Sequence, residues 1–241
     1  HWHGDHTGGN EAFAEAGAIV VAHDNVRTRM SSEQFVAAFD RTVPAAPKGA
    51  LPVITFNDQV TFHVGGHTVR TIHIPSAHTD GDAIVHLPET NVIHTGDLVF
   101  YGLYPVVDYS NGGSLKGMAD ATAKLMEMSN EDTRFIPGHG PVFHDAERAL
   151  TVARKRLDGF ASNPVKHALY AAKVLLKYKL LEWQRIELTD LHAWASATPY
   201  FGALHARHFG AQPQAQWLQG LADDLVRSGA ARREGDGLVN L

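Results

Sequence analysis

The sequence predicts an α/β fold over residues 1–160 and a helical region over residues 161–241. Three observations carry this reading. Short apolar or alternating runs, separated by Gly and Pro turns, fill the first part. From about residue 145 to 165 the apolar spacing changes to that of helices. Histidine and aspartate recur in four short clusters, three of them just beyond predicted strands.

The elements follow in order. Glu11–Ala16 reads as a short helix stopped by Gly17. Ala18–Ala22 is a continuous apolar run and reads as a buried strand, giving a βαβ rhythm with parallel pairing. Residues 23–41 read as helical, and 44–49 as a Pro-rich surface loop. Val53–Phe56 is a strand, and 60–64 and 68–74 alternate around Gly65-Gly66 as a hairpin. Residues 83–87 and 91–94 are two further strands. Residues 98–114 lack periodicity and read as an active-site loop, before a helix over 115–128. Helices are then expected at 145–158, 164–181, about 189–197 and 214–228, with Trp183, Trp194 and Trp217 as packing anchors. The end of the chain reads helix, strand, tight turn, strand, the outline of a winged helix.

The chain opens on His1-Trp2-His3-Gly4-Asp5-His6. In an extended backbone His1 and His3 point to one side. Imidazole and carboxylate are the donors that borderline metals such as zinc favour. Three clusters answer this one: Ser76-Ala77-His78-Thr79-Asp80, Thr95-Gly96-Asp97 and Pro137-Gly138-His139-Gly140. With 16 histidines, some clustering by chance is expected. An affinity-tag remnant, however, would neither place Asp at the fifth position nor recur at strand ends. The other histidines read as surface or satisfied core residues.

H-x-H-x-D-H, a downstream His, an Asp after a strand and a His in a G-H-G turn together resemble the metallo-β-lactamase superfamily, over roughly residues 1–145. The resemblance implies an αββα sandwich and a dinuclear metal hydrolase. Its cofactor would be two Zn2+ per chain, with iron or manganese as alternatives. It implies His1, His3 and His78 at one metal, Asp5, His6 and His139 at the second, and Asp97 bridging both. In that sandwich several strands precede the motif. The N-terminal strands are therefore expected to be missing here, and the chain to start inside a longer polypeptide.

Two such ions about 3.5–4 Å apart share a hydroxide and polarise a carbonyl or phosphoryl oxygen. Asp5 and Asp97 are the catalytic candidates: Asp97 has two oxygens with which to bridge, and Asp5 is placed to orient the hydroxide and protonate the leaving group. Tyr101 and Tyr104, in the loop after Asp97, are candidates for the substrate loop, as donors to an oxyanion or as plain packing. Asp80 and Asp82 either orient an imidazole or serve a turn.

Composition narrows the classes. The absence of cysteine excludes disulfides, thiolate ligands and a cysteine nucleophile. It also separates this chain from superfamily lactamases that use a Cys at the second metal. With 44% hydrophobic and 20% charged residues, the chain is an ordinary soluble globular protein, cytoplasmic or periplasmic, without a membrane span. A net charge of −5 disfavours a phosphate-seeking surface, and Asp223-Asp224 disfavours nucleic acid at the winged-helix outline. The expected partner is a small-molecule substrate: an ester, lactone, thioester or amide. Alternatives are a β-lactamase with an all His/Asp site, and a nucleic-acid-binding or non-catalytic metal protein. The C-terminal helices are expected to cover the site or build a homodimer.

Overall fold

A computed structural model describes residues 1–36, 41–100, 106–144 and 146–241, without the side chains of residues 146 and 147. Residues 1–36 and 42–161, where described, form one compact unit, and residues 162–241 a second.

The first unit is built around a five-stranded sheet. Its strands are β5 (Gln59–Val64), β6 (His67–Ile74), β7 (Asp82–Leu87), β8 (Val92–Gly96) and β9 (Arg134–Pro137), paired in that order. Gly65 and Gly66, both with positive φ, close the β5–β6 hairpin as expected. The β6–β7 and β7–β8 pairs are antiparallel and β8–β9 is parallel. Strands β6, β8 and β9 therefore run in one direction, and the loops leaving their C-terminal ends emerge at one end of the sheet.

Alternation along these strands buries one apolar set. Ile74, Ile84, Ile93 and Phe135 pack with Met118, Ala121 and Leu125 of α4 (Leu115–Met128) and with Leu150 and Leu157 of α5 (Ala146–Ser162). Helix α4 starts where Ser114 Oγ accepts from the Gly117 N–H at 2.9 Å, which satisfies a terminal amide. A second, two-stranded sheet pairs β1 (Val21–His23) in parallel with β4 (Ile54–Phe56). His23 on β1 stacks on His73 of β6, with ring centroids 3.6 Å apart. Before these strands lie the short helices α1 (Gly4–Thr7) and α2 (Asn10–Glu15).

Two expectations for this unit are corrected. The strand expected at 18–22 is β1 at 21–23, and Ile19 is 66% exposed. Strand β1 pairs with β4 alone among the described residues, and of its three residues only His23 is buried. The helix expected over 23–41 is α3 (Asp24–Met30), followed by strands β2 (Gln34–Val36) and β3 (Arg41–Val43). Ser31 and Ser32 end it: their hydroxyls bond back to the Arg27 and Thr28 carbonyls, and such side-chain bonds compete with the helix ladder. Residues 37–40 lie outside the described residues.

The second unit runs α6 (Pro164–Trp183), β10 (Arg185–Glu187), α7 (Leu188–Ala197), α8 (Pro199–His208), α9 (Gln214–Arg227), β11 (Ala231–Glu234) and β12 (Gly237–Asn240). Its antiparallel sheet is ordered β10-β12-β11. Asn163 caps α6 through Lys166 N, and Pro164 supplies the first-turn position that needs no N–H. Trp217 is fully enclosed, with Leu176, Leu191, Phe201 and Leu221. Trp183 and Trp194 meet edge to face at 5.6 Å. Strand β10 and helix α8 went unread in the sequence; Thr198-Pro199 divides what spacing presents as loop. No helix among the described residues is long and apolar enough to cross a membrane.

Because Leu125 and Ile84 are wholly enclosed between α4 and the sheet, Leu125→Ala should cost about 3–5 kcal/mol of stability in urea unfolding of the first unit. Val64→Ala, on the exposed end of β5, should cost less than about 0.5 kcal/mol. Equal effects would show that this sheet face is not the core.

Candidate metal centre

The loops leaving β6, β8 and β9 carry His78, Asp97 and His139, and the residues around α1 carry His1, His3, Asp5 and His6. All seven side chains converge. His3 Nδ1 lies 3.0 Å from His1 Nε2 and 3.1 Å from His78 Nε2. Asp5 Oδ2 lies 3.1 Å from His139 Nε2 and 3.3 Å from His6 Nε2. Asp97 stands between these sets: Oδ2 is 3.6 Å from His78 and 3.4 Å from His139, and Oδ1 is 3.4 Å from His6. Three sets of donor atoms each fall within 4.8 Å of one another: His1, His3 and His78; His1, His6 and Asp97; Asp5, His6 and His139. Tyr101 and Tyr104 lie outside the described residues.

The electrostatics is that of a cation site. Contact with Asp5, and then with Asp97, raises the His6 pKa to about 9. Contact with His6 holds Asp5 well below the usual carboxylate range. Burial pushes the Asp97 carboxyl upward, yet contact with His6 and the neighbouring imidazoles outweighs it and holds the group below the usual carboxylate range. Burial pushes His78 down, toward the neutral form that ligates.

A metal fits this donor set on two observations. His6 Nε2 and Asp97 Oδ1 are buried and make no hydrogen bond, the lone 3.4 Å approach between them being misaligned. An unpartnered buried acceptor costs about 1–3 kcal/mol unless something coordinates it. In addition, a Cβ on Gly138 would overlap Asp97 Oδ1, so only glycine lets this loop close over the carboxylate.

Two of the candidate ligand imidazoles are oriented by groups that sequence reasoning missed. His3 Nε2 donates to Asp108 Oδ2 at 3.0 Å, and His78 Nδ1 to the Val106 carbonyl at 2.8 Å. Each bond leaves the other ring nitrogen facing the centre. Asp108 sits in a D-x-x-N-G stretch that reads as a turn, with no signal pointing to His3. Asp80 and Asp82 do not serve as imidazole partners. Asp80 is held by Arg29, and Asp82 accepts from the Thr79 N–H and hydroxyl at 2.8 and 2.6 Å. Among the remaining histidines, His94 Nδ1 accepts from Gly96 N and His205 bonds the Gln212 carbonyl, as satisfied residues do.

Fold and donor set together describe an α/β protein with candidate metal donors gathered at one end of a sheet. The chain belongs to the metallo-beta-lactamase superfamily, whose family model matches residues 1–156. It is 33% identical over 101 residues to a hydroxyacylglutathione hydrolase of Erythrobacter litoralis, covering 42% of this chain and 32% of that protein. It is 32% identical over 148 residues to an atrochrysone carboxyl ACP thioesterase of Aspergillus terreus, covering 60% of this chain and 37% of that protein. The chain thus spans about a third of the length of these curated relatives. Among solved structures, a metallo-beta-lactamase from Pontibacter korlensis superposes with a TM-score of 0.51 at 25% identity, covering 66% of each chain. The superfamily binds divalent metals, typically two.

Gly138→Ala should reduce the metal retained after gel filtration, measured by elemental analysis, because its methyl displaces Asp97 Oδ1. Wild-type metal content in a folded Gly138→Ala protein would show that the loop has room to spare.

Proposed function

We propose that the chain carries the dinuclear centre of a hydrolase acting on acyl compounds, with zinc as the first choice and iron or manganese as alternatives. The observation that supports it best is the position of Asp97, whose one carboxylate approaches donors of both sets. His1, His3 and His78 would hold one ion; Asp5, His6 and His139 the other; Asp97 would span them. Such ions, when bound, polarise an acyl carbonyl and lower the pKa of water from about 15.7 to roughly 7.

The chain's own residues supply the rest. Asp97, 6% exposed and ionised, keeps negative charge at the middle of four imidazoles. Asp5 has a 56% exposed side chain and stands at the open side of the cluster. Its carboxylate would orient the attacking water, take its proton and return it to the leaving group. Asp108 and the Val106 carbonyl keep His3 and His78 fixed while this proton moves.

For the substrate, a thioester or other activated ester is favoured, since one relative is named a thioesterase and another a hydroxyacylglutathione hydrolase. A β-lactam is the second reading, on the Pontibacter likeness. The nucleic-acid reading loses support at the wing. Arg233 is paired to Asp223 at 2.5 Å and Arg232 to Glu234 at 2.7 Å, so both cations are already matched.

Zinc-loaded protein should hold two equivalents per chain and cleave thioesters faster than β-lactams in a substrate panel; one equivalent, or none, would sink the dinuclear reading. Asp97→Ala should lose metal and most turnover. Asp5→Asn should retain much of the metal but lose roughly two to four orders of magnitude in rate. Near-full turnover of metallated Asp5→Asn would remove Asp5 from the proton's path.

A further inference from the structure

Asp108, which receives the His3 proton, is itself held by a chain of hydrogen bonds leading away from the site. Its Oδ1 accepts from Ser110 Oγ at 2.6 Å. Its Oδ2, the atom facing His3, also accepts from Asn111 Nδ2 at 2.7 Å. At the other end of that amide, Asn111 Oδ1 accepts from Arg29 Nη1 at 2.8 Å. Arg29 is anchored in turn on Asp80, through Nε at 2.7 Å and Nη2 at 2.6 Å, and its Nη1 also reaches Gln34 Oε1 at 3.1 Å. Asn111 and Asp108 are 1% and 4% exposed, so water does not substitute for these partners.

Donor and acceptor identities give the chain a direction. A guanidinium has no acceptor, so the Asn111 oxygen must face Arg29 and its NH2 must face Asp108. An ionised carboxylate has no donor, so His3 must present Nε2–H to it. His3 Nδ1 is then left with its lone pair toward His1 and His78. An unanchored amide has two orientations 180° apart, and the flipped one would set two acceptors against each other.

We infer that Arg29 and Asn111 are positioning residues for the metal centre, fixing the tautomer and aim of His3 through Asp108. The inference rests on the proposed role of His3 as a ligand. Arg29 lies on α3, Asp80 in the β6–β7 loop, and Asn111 in the segment before α4. One guanidinium thus ties three separate pieces of chain to one imidazole.

The test uses two readouts on the full chain: the His3 tautomer, by ¹⁵N NMR of histidine-labelled metal-free protein, and zinc affinity, by competition with a chelating dye. Arg29→Lys keeps a cation for Asp80 but cannot fork to Asn111 as well. Asn111→Leu keeps the volume and removes the bonds to Arg29 and Asp108, together with the longer ones to the Phe35 carbonyl and Ser110 Oγ at 3.4 and 3.3 Å. Both variants should turn the single Nε2–H tautomer of His3 into a mixture and weaken zinc by about 10–100-fold. Gln34→Ala, which touches Arg29 off the chain of bonds, should change neither. If Asn111→Leu does not fold, Arg29→Lys decides alone. An unchanged tautomer overturns the proposal, whether zinc affinity holds or falls, because a fall without it marks general loosening. If wild-type protein binds no zinc, the ligand role of His3 fails, while the tautomer still tests Arg29.

Discussion

A buried carboxylate that must stay ionised governs this molecule. Burial raises the Asp97 pKa, and a protonated acid makes a poor ligand. The structure counters this with imidazoles brought from opposite ends of the first unit, from His6 near the start and His139 after β9. That arrangement requires β6, β8 and β9 to point the same way, which in turn requires the one parallel pair in an otherwise antiparallel sheet. Helix α4 lies between β8 and β9 in the chain and provides the crossover a parallel pair needs.

The donor set was legible in the sequence because its spacing is local or tied to strand ends. His1 to His6 fall within one short stretch, and His78, Asp97 and His139 each follow a run that reads plainly as a strand. The hairpin at Gly65-Gly66 and helix α4 were legible for similar reasons: two glycines that tolerate positive φ, and fourteen residues of uninterrupted helical spacing. What was not legible depends on contacts between distant residues. The bond from His3 to Asp108 spans 105 positions, and no local pattern announces it. The early end of α3 depends on two serines returning their hydroxyls to the backbone, where their polarity also suits an exposed helix face. The loop tyrosines proposed from the sequence fall outside the described residues.

Charge on the second unit depends on partners beyond the immediate run of residues. Arg232 and Arg233, adjacent on β11, are a pair of cations when taken alone. In the structure their partners are Glu234 on the same strand and Asp223 on α9. These pairs are partly exposed, so each contributes little to stability, on the order of 0–1 kcal/mol. Their effect is to leave the wing nearly neutral.

The bonds joining Arg29, Asn111 and Asp108 also bear on how such a protein can be altered. Loops beside an active centre are the usual place to install a new specificity, because they tolerate exchange while the scaffold persists. The segment before α4 does not have that independence. Transplanting it into a scaffold without an arginine at the position of Arg29 would leave the asparagine oxygen without its donor, and the imidazole two bonds away would be held less firmly. The transferable module is therefore discontinuous: the loop, one residue of α3 and the aspartate that anchors it move together or not at all.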